Sequence, residues 1–176
     1  MKRTILIALA AVSLAACETT GGPPPPPPTA GPPPSATVFR AEDFAWSTVP
    51  GRASLQGTMG YHAGPTRYSC AGTDVILTPE TPWSRRRMTI LYGSPVSAAV
   101  PVETVRARTP SAPPGDYTSF VRKATCDAQN HFTFTGLPDG GWFVITVAKP
   151  VGDTGSGVAV MRRIETRGGP RAVLLN

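Results

Sequence analysis

Proline is the feature that most constrains this chain, because it fills one short stretch near the N-terminus. Residues 23–28 are all proline, and Pro32, Pro33 and Pro34 follow. Each proline fixes its φ angle and lacks an amide donor, so the stretch can join neither a helix nor a sheet. It favours polyproline II, which extends by about 3.1 Å per residue. We therefore predict a disordered, proline-rich tether over residues 17–37, with a semi-rigid spacer from Gly22 to Pro34, and a globular domain over residues 38–176.

The segment before the tether predicts export. Lys2 and Arg3 precede a mostly apolar stretch, which ends in Leu14-Ala15-Ala16-Cys17. A positive start, a short apolar run and small residues before a cleavage site are typical of a secretory signal peptide. The run is shorter than the about 20 apolar residues that cross a bilayer. Leu14-Ala15-Ala16-Cys17 resembles the lipobox of bacterial lipoproteins, which implies a signal peptide over residues 1–16 and a diacylglycerol on Cys17.

Lipidation predicts the compartment. One acyl chain gives only marginal membrane binding, at about 0.8 kcal/mol per buried CH₂. The three chains usual in this family would hold the protein permanently. In the family, Asp after the cysteine favours the inner membrane, and this chain has Glu18 there. The resemblance thus implies a lipid anchor in the outer membrane, with the domain facing the periplasm. An ordinary cleaved signal peptide with a chance cysteine is the alternative.

Charge narrows the class of partner. The formal net charge of the full chain is +6, and loss of Lys2 and Arg3 leaves about +4. This modest excess suits anionic headgroups or acidic cell-wall polymers, and export argues against nucleic acid. The densest cationic run is Arg85, Arg86 and Arg87 beside Trp83, a set that can grip a carboxylate, phosphate or lipid headgroup. A solvated loop carrying three cations is the alternative.

Two cysteines remain once Cys17 is assigned to lipid. Cys70 and Cys126 form a natural pair in an oxidising compartment. A disulfide between them would close a loop of about 57 residues, which is worth about 4 kcal/mol in the loop-entropy model. A redox pair would favour a C-x-x-C spacing or a cysteine at a helix start, and the sequence shows neither. We therefore expect a structural disulfide.

The domain is predicted to be all-β. Short β-prone runs separated by Gly, Pro and Asp recur along it, and eight or nine such runs predict a β-sandwich. Strict alternation puts Phe132 and Phe134 on one face. The predicted strands are Ser54–Met59, Asp74–Thr78, Met88–Tyr92, Val102–Arg108, Tyr117–Thr125, His131–Thr135, Trp142–Val147, Val158–Thr166 and Arg171–Leu175. The run Trp142–Val147 is apolar on both faces, as in a central strand. A short helical turn is expected over Phe39–Trp46 and a loop over Thr109–Asp116.

One stretch resembles a known hairpin as a whole. Residues 126–144 read CDAQNHFTFTGLPDGGWFV, which resembles the "T-D-A-x-G-x-F-x-F-x-G-L-P-x-G-x-Y-x-V" hairpin of carboxypeptidase regulatory-like domains. Cys126 replaces the usual Thr, Asn130 the usual Gly, and Trp142-Phe143 the usual aromatic residue. Asn130 also tolerates the left-handed conformation that a turn requires. Weaker resemblances cover Gly72–Pro79 and Leu55–Met59.

This resemblance covers about Arg52 to Lys149, with an insertion from Trp83 to Thr118. It implies a single transthyretin-like (prealbumin-like) or Ig-like β-sandwich. Such domains are mostly non-catalytic and bind, space or stabilise. Fold analogy does not supply a ligand.

Motifs for catalysis are absent from the sequence. The two histidines, His62 and His131, belong to no H-E-x-x-H motif, and there is no C-x-x-C pair, P-loop or G-x-S-x-G elbow. Asp153-Thr154-Gly155 spells the aspartic-protease tripeptide, but Gly152 and Gly157 favour a hairpin tip. Some transthyretin-like domains hydrolyse a purine-derived ring with a C-terminal Tyr-Arg-Gly-Ser, and Tyr92-Gly93-Ser94 is internal and lacks the arginine. We expect no enzyme activity, metal or cofactor.

The sequence therefore predicts a non-enzymatic, membrane-anchored module of the cell envelope that contacts a protein or a cell-wall polymer. A periplasmic inhibitor or sequestering protein, similar to lysozyme inhibitors, is the alternative, with Tyr68-Ser69-Cys70 as its local hint. A hydrolase with a site in the insertion is less favoured. Inhibition of lysozyme by the soluble domain would distinguish the inhibitor hypothesis.

Overall fold

The computed structural model describes residues 35–109, 116–152 and 155–176. Several predictions lie outside these residues: the signal peptide, Cys17, the tether before Ser35, residues 110–115 of the expected loop, and Asp153 and Thr154 of the hairpin tip. The described part has ten strands and two α-helices: β1 Ala53–Met59, β2 His62–Ala63, β3 Thr66–Ser69, β4 Asp74–Pro79, α1 Pro82–Tyr92, β5 Ser97–Pro101, α2 Val102–Arg108, β6 Arg122–Thr125, β7 His131–Leu137, β8 Gly140–Pro150, β9 Val158–Thr166 and β10 Pro170–Leu175. Short 3₁₀ helices cover Ala41–Thr48 and Tyr117–Phe120. None of the helices described is long and apolar enough to cross a bilayer.

The strands form two sheets, as the predicted β-sandwich requires. The smaller sheet has the order β10-β1-β7, with β10 parallel and β7 antiparallel to β1. The larger sheet is built around β8, which pairs with β4 and β9, while β6 extends from β4 and β5 from β9. Strand β3 pairs with the last residues of β8 and carries β2. The all-β fold class is therefore confirmed.

The core between the sheets is aromatic and aliphatic. Phe132 and Phe134 of β7 are both buried and face Trp142 and Val144 of β8 within one apolar cluster. The prediction that both phenylalanines lie on one face is thus confirmed, and that face is the buried one. Gly57 of β1 lies opposite Phe132, and a Cβ at Gly57 would come within 1.9 Å of the Phe132 ring. The strand therefore needs a glycine at this point, because the ring occupies the space of a side chain.

The outer face of the larger sheet is covered by the helices. Met88, Leu91 and Tyr92 of α1 pack against Phe143 of β8 and Met161 of β9. Val102 and Val105 of α2 extend the same cluster. Strand β8 is therefore buried on both faces, which explains its continuous apolar run and confirms it as a central strand.

The predicted strand over Met88–Tyr92 is wrong, because this segment is the second half of α1. The sequence carries the signals of a helix start: Thr81 is the N-cap, Pro82 is the first helical residue, and Ser84 completes a capping box. The Thr81 hydroxyl accepts a hydrogen bond from the Ser84 amide at 3.1 Å, and the Thr81 amide donates to the Ser84 hydroxyl at 2.8 Å. Gly93 ends the helix with a φ of 77°.

The predicted strand over Val102–Arg108 is also wrong, since these residues form α2. Val102 and Val105 are three residues apart, so a helix brings both onto the sheet's outer face. The predicted strand Tyr117–Thr125 is half right, because it begins with a 3₁₀ helix and becomes a strand only at Arg122. Strands β2, β3 and β5 were not predicted. The 3₁₀ helix Ala41–Thr48 corresponds to the helical turn expected over Phe39–Trp46.

The turn before β7 uses the side chains that the sequence indicates. Asn130 has a φ of 67°, and Asp127 Oδ1 accepts hydrogen bonds from the amides of Gln129 and His131 at 2.9 and 2.7 Å. Asn130 Oδ1 also accepts from the Ser69 hydroxyl at 2.7 Å and from the Cys70 amide at 3.0 Å. The asparagine thus forms bonds that the glycine usual in the resembled hairpin cannot form.

The expected disulfide between Cys70 and Cys126 is present, with a Cα–Cα distance of 5.7 Å. Both cysteines are buried within the core between the sheets. The bond joins the end of β3 to the end of β6, so it links two parts of the chain that lie 56 residues apart.

Candidate functional site

The arginine run lies on a helix rather than in the solvated loop that formed the sequence-based alternative. Arg85, Arg86 and Arg87 occupy the middle of α1, beside Trp83. The exposed side of α1 consists of residues three and four positions apart: Pro82, Arg85, Arg86, Thr89 and Ile90. We call Arg85, Arg86, Thr89 and Ile90 the arginine ridge.

Arg85 is tied to the sheet through Glu80. The Glu80 carboxylate, 14% exposed, accepts hydrogen bonds from Arg163 Nε at 2.8 and 2.7 Å and forms an ion pair with Arg163 Nη2 at 2.6 Å. It also pairs with Arg85 Nη1. Burial raises the pKa of Glu80, but the hydrogen bonds and charges of both arginines outweigh it and hold the pKa below its ordinary value. One carboxylate therefore links α1 to β9.

Arg87 is held by aromatic rings. Its guanidinium carbon lies 5.7 Å from the Trp83 ring centroid and 5.2 Å from that of Tyr117, within the range of cation–π attraction. The Trp83 side chain itself is buried and packs edge-on against Phe39 and Phe44. The Trp83 ring therefore packs against the domain on one side and holds the partly exposed Arg87 on the other. Burial also raises the pKa of Tyr92, at the end of α1, to about 12.

Arg86 is the arginine of the ridge whose charge is not engaged by another described residue. It makes no hydrogen bond or ion pair with the residues that the structure describes, and it lines two adjoining hollows. The smaller, of about 110 Å³, is also lined by Ala36, Thr37, Trp83, Arg87, Ile90 and Leu91. The larger, of about 490 Å³, is open and extends past Thr89 to Pro95. Of the four residues predicted for an anion site, Trp83, Arg86 and Arg87 thus line the smaller hollow, and Arg85 lines the larger one together with Arg86.

A second surface, not predicted from the sequence, is the outer face of the smaller sheet. Gln56 on β1 lies opposite Thr133 and Ala172, and the next outward residue, Thr58, lies opposite His131. These side chains line a shallow hollow of about 400 Å³. We call Gln56, Thr58, His131, Thr133 and Ala172 the polar sheet face. The polar residues that alternate with apolar ones along β1 and β7 were the available signal.

The histidines lie in different places. His62 of β2 is within 2.8 Å of the Gly60 carbonyl and borders another hollow, while His131 Nδ1 lies 3.8 Å from Asp127 Oδ2. Among the described residues no group of three or more His, Cys, Asp or Glu side chains could hold a metal ion.

Other sequence candidates serve the fold. Tyr68 stacks edge-on against Tyr61 with ring centroids 5.2 Å apart, Ser69 bonds to Asn130, and Cys70 is in the disulfide. The three residues named for the inhibitor hypothesis therefore each have a structural contact. Tyr92 and Gly93 form the end of α1.

Comparison with solved structures supports the fold. The chain is similar to a protein from Pseudomonas aeruginosa described provisionally as carbohydrate binding, with 19% identity and a TM-score of 0.55 over 80% of this chain and 99% of that one. It also matches the minor pilin of Streptococcus agalactiae with 12% identity and a TM-score of 0.37, over 72% of this chain and 44% of the pilin. No protein-family model and no curated protein matches the chain. The first likeness shows a shared β-sandwich fold, and the second is too weak to support an argument.

Proposed function

We propose that this protein is a lipid-anchored, non-enzymatic binding module of the cell envelope, and that its polar sheet face binds the sugar chain of a cell-wall polymer. The sequence supports the anchor, because Leu14-Ala15-Ala16-Cys17 resembles a lipobox and a proline-rich tether follows it. The proposed location is the periplasmic side of the outer membrane.

The polar sheet face carries the proposal. The side chains of Gln56, Thr58 and Thr133 make no hydrogen bond to other described residues, so their amide and hydroxyl groups are free to bind a partner. Amides and hydroxyls both donate and accept, as the hydroxyls of a sugar do. The face carries no acidic or basic side chain other than His131, so it suits a neutral, hydroxyl-rich chain better than an ionic one.

The geometry also supports a binding role over catalysis. The Glu80 carboxylate, whose pKa is held below its ordinary value, is engaged in the fold by its two arginine partners. A general acid or base normally pairs a shifted pKa with a cleft. The hollow on the polar sheet face is a shallow surface, which suits an extended chain. The provisional carbohydrate-binding assignment of the Pseudomonas protein adds support for the class of ligand.

The test is co-sedimentation of the mature chain, from residue 17 and with Cys17→Ser, with insoluble peptidoglycan sacculi and insoluble polysaccharides. We expect the protein to pellet and a Gln56→Ala/Thr133→Ala variant to bind at least tenfold more weakly. The matched control is Gln129→Ala/Thr125→Ala, which removes an exposed glutamine and an exposed strand threonine elsewhere. Equal binding by both double variants, or no binding by the wild type, would refute the proposal.

The anchor is tested separately by mass spectrometry of the protein recovered from membranes. We expect an N-terminal peptide that begins at Cys17 and carries acyl chains. An unmodified Cys17, or cleavage at another position, would contradict the anchor without bearing on the polar sheet face.

A further inference from the structure

We infer that the arginine ridge binds the anionic phospholipid headgroups of the membrane in which the protein is anchored. This inference rests on the proposed lipid anchor for its geometry. The ridge itself, however, consists of described residues on a different surface from the polar sheet face, so each surface can be tested without the other.

Positive charge is concentrated in the part of the sequence that carries the ridge. The insertion from Trp83 to Thr118 contains five arginines and two acidic residues, a formal net charge of +3 in 36 residues. The other 103 residues of the domain, 38–82 and 119–176, have a net charge of +2. Cations near an anionic membrane surface add to binding over about one Debye length, so the segment that carries the ridge favours such a surface more than the rest of the domain does.

The ridge lies beside the point where the tether enters the domain. Ala36 and Thr37, at the end of the tether, line the smaller hollow together with Arg86 and Ile90. Ala36 also borders the larger one with Arg85. A lipid anchor at the other end of the tether would therefore attach the domain by the side that carries the ridge.

Exposed apolar side chains surround the cations. Ile90 is 53% exposed, Val96 is 56% exposed and Val38 is 58% exposed. Val96 follows Pro95 and Val38 follows Thr37, both of which line the hollows. Cations combined with exposed aliphatic groups are typical of surfaces that lie in the membrane interface. A hydrated, anionic polysaccharide would pair with the arginines but would leave the aliphatic groups in water, so the membrane is the favoured partner.

The experiment measures binding of the mature chain carrying Cys17→Ser, which has no acyl chain, to sedimented vesicles. Vesicles of phosphatidylethanolamine with 30% phosphatidylglycerol are compared with vesicles in which phosphatidylcholine replaces the phosphatidylglycerol. We expect binding to the anionic vesicles only, and loss of it as salt rises. Each arginine near the surface is worth roughly a fivefold change in the partition coefficient, so Arg85→Gln/Arg86→Gln should reduce it about 30-fold.

The matched control is Arg167→Gln/Arg171→Gln. It likewise removes one arginine that pairs with a glutamate, Glu165, and one exposed arginine without a partner among the described residues. We expect this control to bind within about threefold of wild type. Because Glu80 loses a partner in the ridge variant, Arg86→Gln alone serves as a second variant with an intact Glu80 pair, expected to bind about fivefold more weakly.

Insertion of the apolar groups is measured with a fluorophore at Ile90→Cys. We expect a blue shift on anionic vesicles and none with the probe at Thr133→Cys on the polar sheet face. Equal effects of the ridge and control substitutions would overturn the inference. So would a ridge variant that keeps its vesicle binding but loses binding to sacculi, because the ridge would then recognise the polymer. Failure of acylation at Cys17 would remove the proposed anchor and leave the vesicle result standing.

Discussion

Glu80→Gln should destabilise the domain selectively at neutral pH. The substitution keeps the shape of the side chain but removes the charge that Arg163 and Arg85 share. Breaking a fully buried pair costs about 3–5 kcal/mol. Because the side chains of Arg163 and Arg85 are 33% and 47% exposed, water compensates part of that loss. We expect about 2 kcal/mol at pH 7, measured by urea unfolding.

The pH dependence identifies the cause. The pKa of Glu80 is lower in the folded protein than its ordinary value of 4.5, so its contribution is complete above that pH and is lost as the pH falls through the folded pKa. The stability difference between wild type and Glu80→Gln should therefore shrink below pH 4.5. A difference that stays constant from pH 7 to pH 3 would refute an electrostatic role. The control Glu165→Gln, in an exposed pair with Arg167, should cost less than about 0.5 kcal/mol.

Three further outcomes follow from the packing. Cys70→Ala/Cys126→Ala should cost about 4 kcal/mol in urea unfolding, because the bond closes a long loop; a loss below about 1 kcal/mol would contradict this. Gly57→Ala should cost about 1–3 kcal/mol, since the Phe132 ring must move, whereas Gly72→Ala has open space and tests only the cost of a positive φ. Asn130→Gly should cost about 1 kcal/mol through lost hydrogen bonds, and Asn130→Ala should cost more because φ is positive there.

The strands that the sequence predicts correctly have local signals strong enough to decide them. In β7 the strict alternation around Phe132 and Phe134 matches a sheet with one buried face, and in β8 the apolar run matches burial on both faces. The turn at Asn130 is also local, since its left-handed backbone and its Asx bonds lie within five residues. These elements needed no knowledge of distant partners.

The helices were missed because their segments contain β-prone residues. Met88–Tyr92 has the composition of a strand, and the capping box at Thr81 and Ser84 that decides otherwise lies several residues upstream. The sequence indicated the arginines of the ridge as a candidate site, but it did not indicate that they lie on a helix. Arg85 of the ridge is held by Glu80, whose other partner, Arg163, is 83 positions from Glu80, and no local pattern indicates that pairing. The polar sheet face forms only when β1, β7 and β10 meet.

The position of the insertion in the sheet explains how the chain can carry an additional helix there. Strands β4 and β6 are antiparallel neighbours, with Leu77 opposite Arg122. The insertion therefore begins and ends at adjacent positions of the sheet, and its length does not change how β4 and β6 pair. The apolar side of α1 replaces solvent over Phe143 and Met161, and Glu80 fixes its position. The exposed side is then free of packing demands. A surface held on a packed helix presents Arg86 and Ile90 with less loss of conformational entropy than a loop would, and this is why we place the proposed headgroup binding on the ridge instead of on the connections around it.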